Sequence, residues 1–495
     1  MIHRSPLPDI EIPDLTLTEY VIDGAACFGD KPALVDAATG ETITYAELRS
    51  SVYTIAAGLD VGPGDVVGLM SHNQPRWAVA AHAVIATGAA VTPVNPMFTA
   101  AEVRGQLTAA KAKLLISADE SMDKAREAFD RVIPIGELPT GGDPPSPRLD
   151  PATTDAVLPF SSGTTGTAKG VRLTHRNLVA NLAQHRVGWR IGPDDVQAAV
   201  LPFFHIYGYT IVLNSGLAAG ATVVTMPRFE LGTYLRALAE HRVTRVYFAP
   251  PMVLRLATAS EVDDYDLSSL RYALCGAAPL DVETTERAEK RLGCLIRQGY
   301  GMTEASPGTH QVYDDAFPTT PAGSVGRLAP NTEARLVKPG TDEDVAEGET
   351  GELLIRGPQV MAGYLNDPAA TAATITGGWL HTGDLVRVGA DGVFWIVDRL
   401  KELIKYKGYQ VAPAELESVL LTHPAVLDAA VVGVPHAEGG EAPKAFVVTS
   451  RPVGAGELMT FVADRVAPYK KIRFVEFIAE IPKSPTGKIL RRLLR

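Results

Sequence analysis

From about residue 30 to 250 the chain alternates short Val-, Ile- and Ala-rich runs (AAVTPV, AKLLISA, ATVVTMP, VTRVYFAP) with amphipathic stretches such as FTAAEVRGQLTAA and GTYLRALAEH. Strand-like and helix-like segments taking turns in this way require layered α/β architecture with substantially parallel sheet. After residue 320 the texture changes to GSVGRL, TEARLVKPG, GELLIRG and GVFWIVDRL, short runs broken by turn residues, which predicts a small, mainly β subdomain. Past Arg399 the segments PAELESVLLTHPAV, DAAVVGVP, KAFVVTS and GELMTFVADRV predict a compact α+β module. We therefore expect a large N-terminal α/β domain over 1–398 and a small C-terminal domain over 399–495. A chain of 495 residues is too long for one ordinary core.

Bulk properties exclude several classes. With 46% hydrophobic and 21% charged residues the chain is globular, and it has no apolar run long enough to span a membrane. The N-terminal MIHRSPLPDIEIPDLTL carries acids and prolines where a signal peptide needs an apolar run, and LLR is no peroxisomal address. Cys27, Cys275 and Cys294 lack metal or disulfide spacing, so a cytoplasmic setting is expected. A net charge of -11 argues against nucleic-acid binding, but residues 401–495 carry 14 Lys+Arg against 10 Asp+Glu. A basic module beside an acidic one suits either a cover for a polyanion or plain solvated charge.

Segment 158–178, LPFSSGTTGTAKGVRLTHRNL, places hydroxyls, glycines and a lysine between a strand-like run and a helix beginning near His175. Glycine lets backbone N–H groups approach an anion, and Ser/Thr hydroxyls donate to phosphate oxygens. The segment reads as a phosphate cradle; the competing reading is a flexible linker. It is no P-loop, since Ala168 and Gly170 stand in the wrong places. The terminal SPTGKILRRLLR also fails that pattern, with Pro482 and Ile489 flanking Gly487-Lys488. On its own Lys488 is equally a surface lysine before a basic terminal helix.

SSGTTGTAKGV resembles the signature loop of the adenylate-forming superfamily of acyl-CoA ligases, luciferases and peptide-synthetase adenylation domains. Four more segments match in order: LCGAAPL, QGYGMTEASPG, WLHTGDLVRVGADGVFWIVDRLKELIKYKGYQVAPAELE and PKSPTGK. LPFFHIYGYT, YKGYQVAPAELE and GYGMTEASPG are most similar to 4-coumarate or cinnamate:CoA ligases. The GELLIRG segment lacks the cysteine usual in plant members, which implies a bacterial-type relative.

The resemblance implies two half-reactions. A carboxylate and MgATP give acyl-AMP and pyrophosphate, and coenzyme A then displaces AMP. It implies that Ser161, Ser162, Gly163, Thr164, Thr165, Gly166 and Lys169 cradle the β- and γ-phosphates, while Thr303 binds the α-phosphate and Glu304 holds Mg²⁺. Gly276, Ala277 and Ala278 would frame adenine against Gln298, Gly299, Tyr300 and Gly301. Asp384 and Arg399 would hold the ribose hydroxyls. His205 and Tyr207 would line the acyl site with Phe248, Met252, Ala277 and Gly301; from the residues alone, His205, Phe203, Phe204, Tyr209, Phe248 and Met252 suit core equally well. Lys401 would be the hinge of a mobile lid. In a second pose Lys405, Lys407, Gly408 and Gln410 would turn toward the site, with Arg228 on a coenzyme A phosphate. Lys488 would bridge the carboxylate and α-phosphate during adenylation. The partners implied are a small carboxylic acid, ATP and coenzyme A, for a monomer or homodimer with no membrane span and no nucleic acid. A medium-chain fatty acid or benzoate-type ligase, an acyl donor to a carrier protein, a silent ATP-binding protein and a luciferase-like oxygenase remain open alternatives.

Overall fold

The computed structural model describes residues 1–161, 169–406, 409–436, 440–484 and 487–494. Two twisted sheets form the N-terminal domain. In the first, Ile296–Gln298, Tyr272–Cys275, Arg245–Phe248, Val196–Ala199, Thr222–Thr225 and Pro32–Asp36 run parallel, with Thr42–Thr44 antiparallel at one edge. In the second, Ala90–Val94, Val66–Met70, Leu114–Ser117 and Val132–Pro134 are parallel, and Lys169–Thr174 runs antiparallel beside Asp155–Val157. Helix Pro75–Ala86 packs on strands of both sheets. Its residues are buried on nearly every side, as a helix shared by two layers must be. The strand-like runs of the sequence occupy these strands, and the amphipathic stretches become helices Ala100–Ala109 and Leu231–Glu240.

Helix His175–Gly188 starts where the sequence places it. Thr174 Oγ1 accepts from the Asn177 N–H at 3.2 Å, and Asn177 Oδ1 accepts from the Thr174 N–H at 3.0 Å. This reciprocal cap fixes the helix start directly behind the signature loop. A six-stranded, largely antiparallel sheet containing Trp379–Val388 and Phe394–Arg399 forms the β subdomain around its own apolar cluster.

The C-terminal module has a five-stranded sheet, dominated by the hairpin Val426–His436 and Gly440–Thr449, with helices Pro413–Leu421 and Ala455–Ala463. Its core, from Ile404 to Ile472, is separate from that of the large domain. Among the described residues 487–494 the expected terminal helix is absent. Only a single 3₁₀ turn, Arg491–Leu493, forms there. Arg491 is drawn inward, its Nη1 donating to Glu402 at 2.5 Å, its Nη2 to both Glu417 oxygens at 2.6 and 2.8 Å, and its Nε to the Val431 carbonyl at 3.2 Å. Partners on three sides hold this arginine in the module rather than on a solvated helix face.

Candidate active site

A cavity of about 770 Å³ opens between the two domains. The large domain contributes Ser161, Lys169, His205, Tyr207, Gly276, Ala277, Gly299, Tyr300, Gly301, Thr303 and Glu304. The strands of the β subdomain add Asp384 and Arg399, the latter just past the boundary expected at 398/399, and Lys401 and Lys488 come from farther beyond it. Segments hundreds of residues apart thus face one space.

Asp384 and Arg399 are register partners on adjacent antiparallel strands. Arg399 Nε lies 3.1 Å from Asp384 Oδ1, and Tyr300 Oη donates to Asp384 Oδ2 at 2.6 Å. Burial pushes the Asp384 carboxyl upward while Arg399 opposes the shift. Glu304 is buried, and its Oε1 accepts from Ser161 Oγ at 3.2 Å and Tyr364 Oη at 3.0 Å. Lys169 Nζ sits 5.0 Å from the centre of the Tyr364 ring and 3.9 Å from Asp367.

His205 receives a hydrogen bond at Nδ1 from the Tyr207 N–H at 3.2 Å, so its proton resides on Nε2. Burial, reinforced by the Lys488 charge, holds it near a pKa of about 4, and the ring is neutral at pH 7. Tyr207 opens a π-helical stretch, Tyr207–Asn214, and its hydroxyl reaches the Leu274 carbonyl at 3.4 Å. Ala277 has a φ of +72°, a strained value for a residue with a side chain, at the cavity wall.

Lys488 reaches the site because the C-terminal module is docked against helix Pro250–Thr258. Gly487 has a φ of +79°, and a Cβ there would stand 2.6 Å from Pro251 Cδ. Glycine meets both the backbone and the contact requirement. Burial is the main cause that lowers the Lys488 ammonium to about 8, and repulsion from Arg399 adds to it.

Other expected site residues lie elsewhere. Phe248 is fully buried against Tyr234 and Met252 packs into the main core, so neither lines the cavity. An apolar residue beside a pocket and one beneath it look alike in sequence. Gln298 is buried and braces the backbone of Leu280, donating at 3.0 Å and accepting at 2.9 Å, and Ala278 lies off the cavity wall. Arg228 is exposed on a loop outside the cavity. Lys405 is exposed too, its N–H donating to Glu441 at 2.9 Å. Ser162, Gly163, Thr164, Thr165, Gly166, Lys407, Gly408 and the Gln410 side chain lie outside the described residues. The structure adds Tyr364, His185, Trp189 and His310, which lie outside the motifs, and Glu402, which lies within one without an expected role.

The family model for AMP-binding enzymes matches residues 23–365, and that for the AMP-binding enzyme C-terminal domain matches 415–488. The chain belongs to the AMP-binding enzyme family. Among curated members of this family, 4-coumarate--CoA ligase 2 of Oryza sativa subsp. japonica is 44% identical over 100% of this chain and 94% of its own length. The relative 4-coumarate--CoA ligase CCL1 of Humulus lupulus is 41% identical over 100% of this chain and 96% of its own. Among solved structures, ATP-bound MatB from Rhodopseudomonas palustris superposes with a TM-score of 0.86 at 27% identity, covering 96% of this chain and 98% of that one. O-succinylbenzoate coenzyme A synthetase (MenE) from Bacillus subtilis, in complex with ATP and magnesium ion, gives 0.85 at 28% identity, with 96% and 99% covered.

Glu304 fits a divalent cation. Its Oε1 is occupied by two hydroxyl donors, while its Oε2 accepts from no described residue. No cluster of three or more His, Cys, Asp or Glu side chains exists among the described residues. A cation here would take most of its oxygens from phosphates and water, which is how Mg²⁺ is commonly held. No helix among the described residues is long and apolar enough to cross a membrane.

Proposed function

We propose that this enzyme is an ATP-dependent acid:CoA ligase that forms an acyl-AMP and then an acyl-CoA thioester, acting on 4-coumarate or a related aryl-propenoic acid. The observation that carries this reading is Lys488, projecting from the C-terminal module into a cavity of the large domain also lined by Thr303, Glu304, Lys169, Asp384 and Arg399. The full-length likeness to 4-coumarate--CoA ligases supplies the substrate class.

In the first half-reaction a carboxylate oxygen attacks the α-phosphorus and pyrophosphate leaves. Two anions approach one another, so fixed cations and donors dominate the barrier. The Nε2–H of neutral His205 faces the carboxylate as a donor and Lys488 supplies the charge. Thr303 steadies the α-phosphate, Lys169 the outer phosphates, and Asp384 with Arg399 the ribose hydroxyls. Magnesium, held by Glu304, would neutralise phosphate charge. Coenzyme A thiolate then attacks the acyl carbon and AMP departs.

The test is thioester formation across 4-coumarate, cinnamate, benzoate and octanoate with ATP, with and without coenzyme A. Best turnover on octanoate would remove the aryl assignment, and loading onto a carrier protein but never onto coenzyme A would favour an acyl donor. A pH prediction follows from Lys488. Adenylation needs its charged form, and that form is lost as pH rises through about 8. The kcat/KM for acid-dependent pyrophosphate exchange, which reports free-enzyme groups, should therefore fall on the alkaline side of pH 8. Lys488→Arg, charged throughout, should lack that limb whatever its residual rate. An identical limb in the variant would assign it to another group.

A further inference from the structure

The cavity contains a second neutral imidazole whose polarity is opposite to that of His205. His185, on helix His175–Gly188, is only 2% exposed and lines the cavity. Its Nδ1 lies 2.7 Å from the Asn181 carbonyl oxygen. A carbonyl only accepts, so Nδ1 carries the proton and Nε2 presents a lone pair. Burial keeps the ring neutral at physiological pH, with a pKa of about 4.

That lone pair has no protein donor among the described residues. Trp189, its ring centre 4.5 Å from that of His185, spends its indole N–H on the Val312 carbonyl at 3.1 Å. The Tyr207 hydroxyl is directed to Leu274. Gly308 packs its backbone beside this edge without a side chain to block it, since a Cβ there would fall 2.3 Å from both Cε1 and Nε2 of His185. His310 differs, because its Nε2 is fully enclosed and its ring lies against those of Tyr300 and Phe394. Apolar Trp189, Ile211, Leu274 and Pro307 also line the cavity. With no donor among the described residues and the ring lining the cavity, a ligand donor is the natural complement of Nε2.

Resting on the aryl-propenoate reading above, we propose that His185 Nε2 is a specificity-determining acceptor that selects acids bearing a hydroxyl at the end of the ring remote from the carboxylate. One imidazole then donates to the carboxylate end of the substrate and the other accepts from its phenolic end. The contact exists before and during reaction alike, so its effect belongs in KM rather than kcat.

The test compares 4-coumarate, cinnamate and 4-methoxycinnamate in thioester formation by the native enzyme, His185→Leu and His185→Gln. The native enzyme should favour 4-coumarate over both analogues by roughly tenfold in kcat/KM, the size of one neutral hydrogen bond. His185→Leu should abolish that preference by raising KM for 4-coumarate alone, and His185→Gln, which keeps an acceptor, should retain most of it. Equal losses on all three acids, or an unchanged ratio in the Leu variant, would overturn the proposal while leaving the ligase reading intact. Absence of native preference for hydroxyl over methoxy overturns it without any variant. Turnover of no aryl-propenoic acid by the native enzyme overturns both readings.

Discussion

Lys488→Ala should lower acyl-AMP formation by about 10³-fold, the scale seen when one preorganised electrostatic partner is taken from a developing charge. The lysine enters a confined cavity beside Asp384 and Arg399, and burial has already reduced its ammonium to about 8. Removing it takes away one of the cavity's cations, and the neighbouring Arg399 guanidinium is already engaged with Asp384 at 3.1 Å. Attack of coenzyme A on supplied acyl-AMP should remain largely intact, because the carboxylate and phosphate have by then been joined. Acid-dependent pyrophosphate exchange reads the first step, and thioester release from synthetic acyl-AMP the second. Equal loss in both would reject a role confined to adenylation.

The second large effect concerns Arg491. Replacing it with alanine leaves the Glu417 carboxylate, 11% exposed, without its bidentate partner. Burial already pushes Glu417 up to about 7 against the pull of Arg491. Loss of one member of a buried ion pair typically costs about 3–5 kcal/mol. Arg491→Ala should therefore melt the C-terminal module well below the native temperature, which calorimetry would detect as an early separate transition. Adding Glu417→Gln removes the stranded charge and should recover much of the loss. If Arg491→Ala behaved like an ordinary surface substitution, within about 0.5 kcal/mol of the native protein, the pairing would carry no weight.

These two residues show what local sequence conveys. The place of Lys488 at the cavity is legible because its Gly-Lys step stands in a terminal segment matching the family. Thr303, Glu304, Asp384 and Arg399 are legible for the same reason, and the fold brings all of them to one cavity. Arg491 is not legible. A terminal arginine reads the same whether solvated or paired, and its partner Glu417 lies 74 positions earlier. The terminal-helix expectation failed on that pairing. Phe248 and Met252, open between pocket and core in the sequence, lie off the cavity wall; hydrophobicity does not distinguish a wall from what lies behind it. His185 is not legible either, because the polarity of its ring is set by the Asn181 carbonyl at one nitrogen and its packing by a glycine from a distant strand.

The segment carrying Lys488 is tied to itself as well as to its module. The Ser484 N–H donates to the Lys488 carbonyl at 2.8 Å, the Lys488 N–H to Ser484 Oγ at 3.1 Å, and the Leu490 N–H to the Pro482 carbonyl at 2.8 Å. The lysine's bearing is therefore set within the C-terminal module before that module meets the large domain. Under the proposed ligase reading, bringing Lys488 to the cavity would then be a docking of two finished surfaces, with little chain entropy left to lose. For the proposed two-step reaction, a site divided in this way would let the lysine be withdrawn after adenylation without refolding either part.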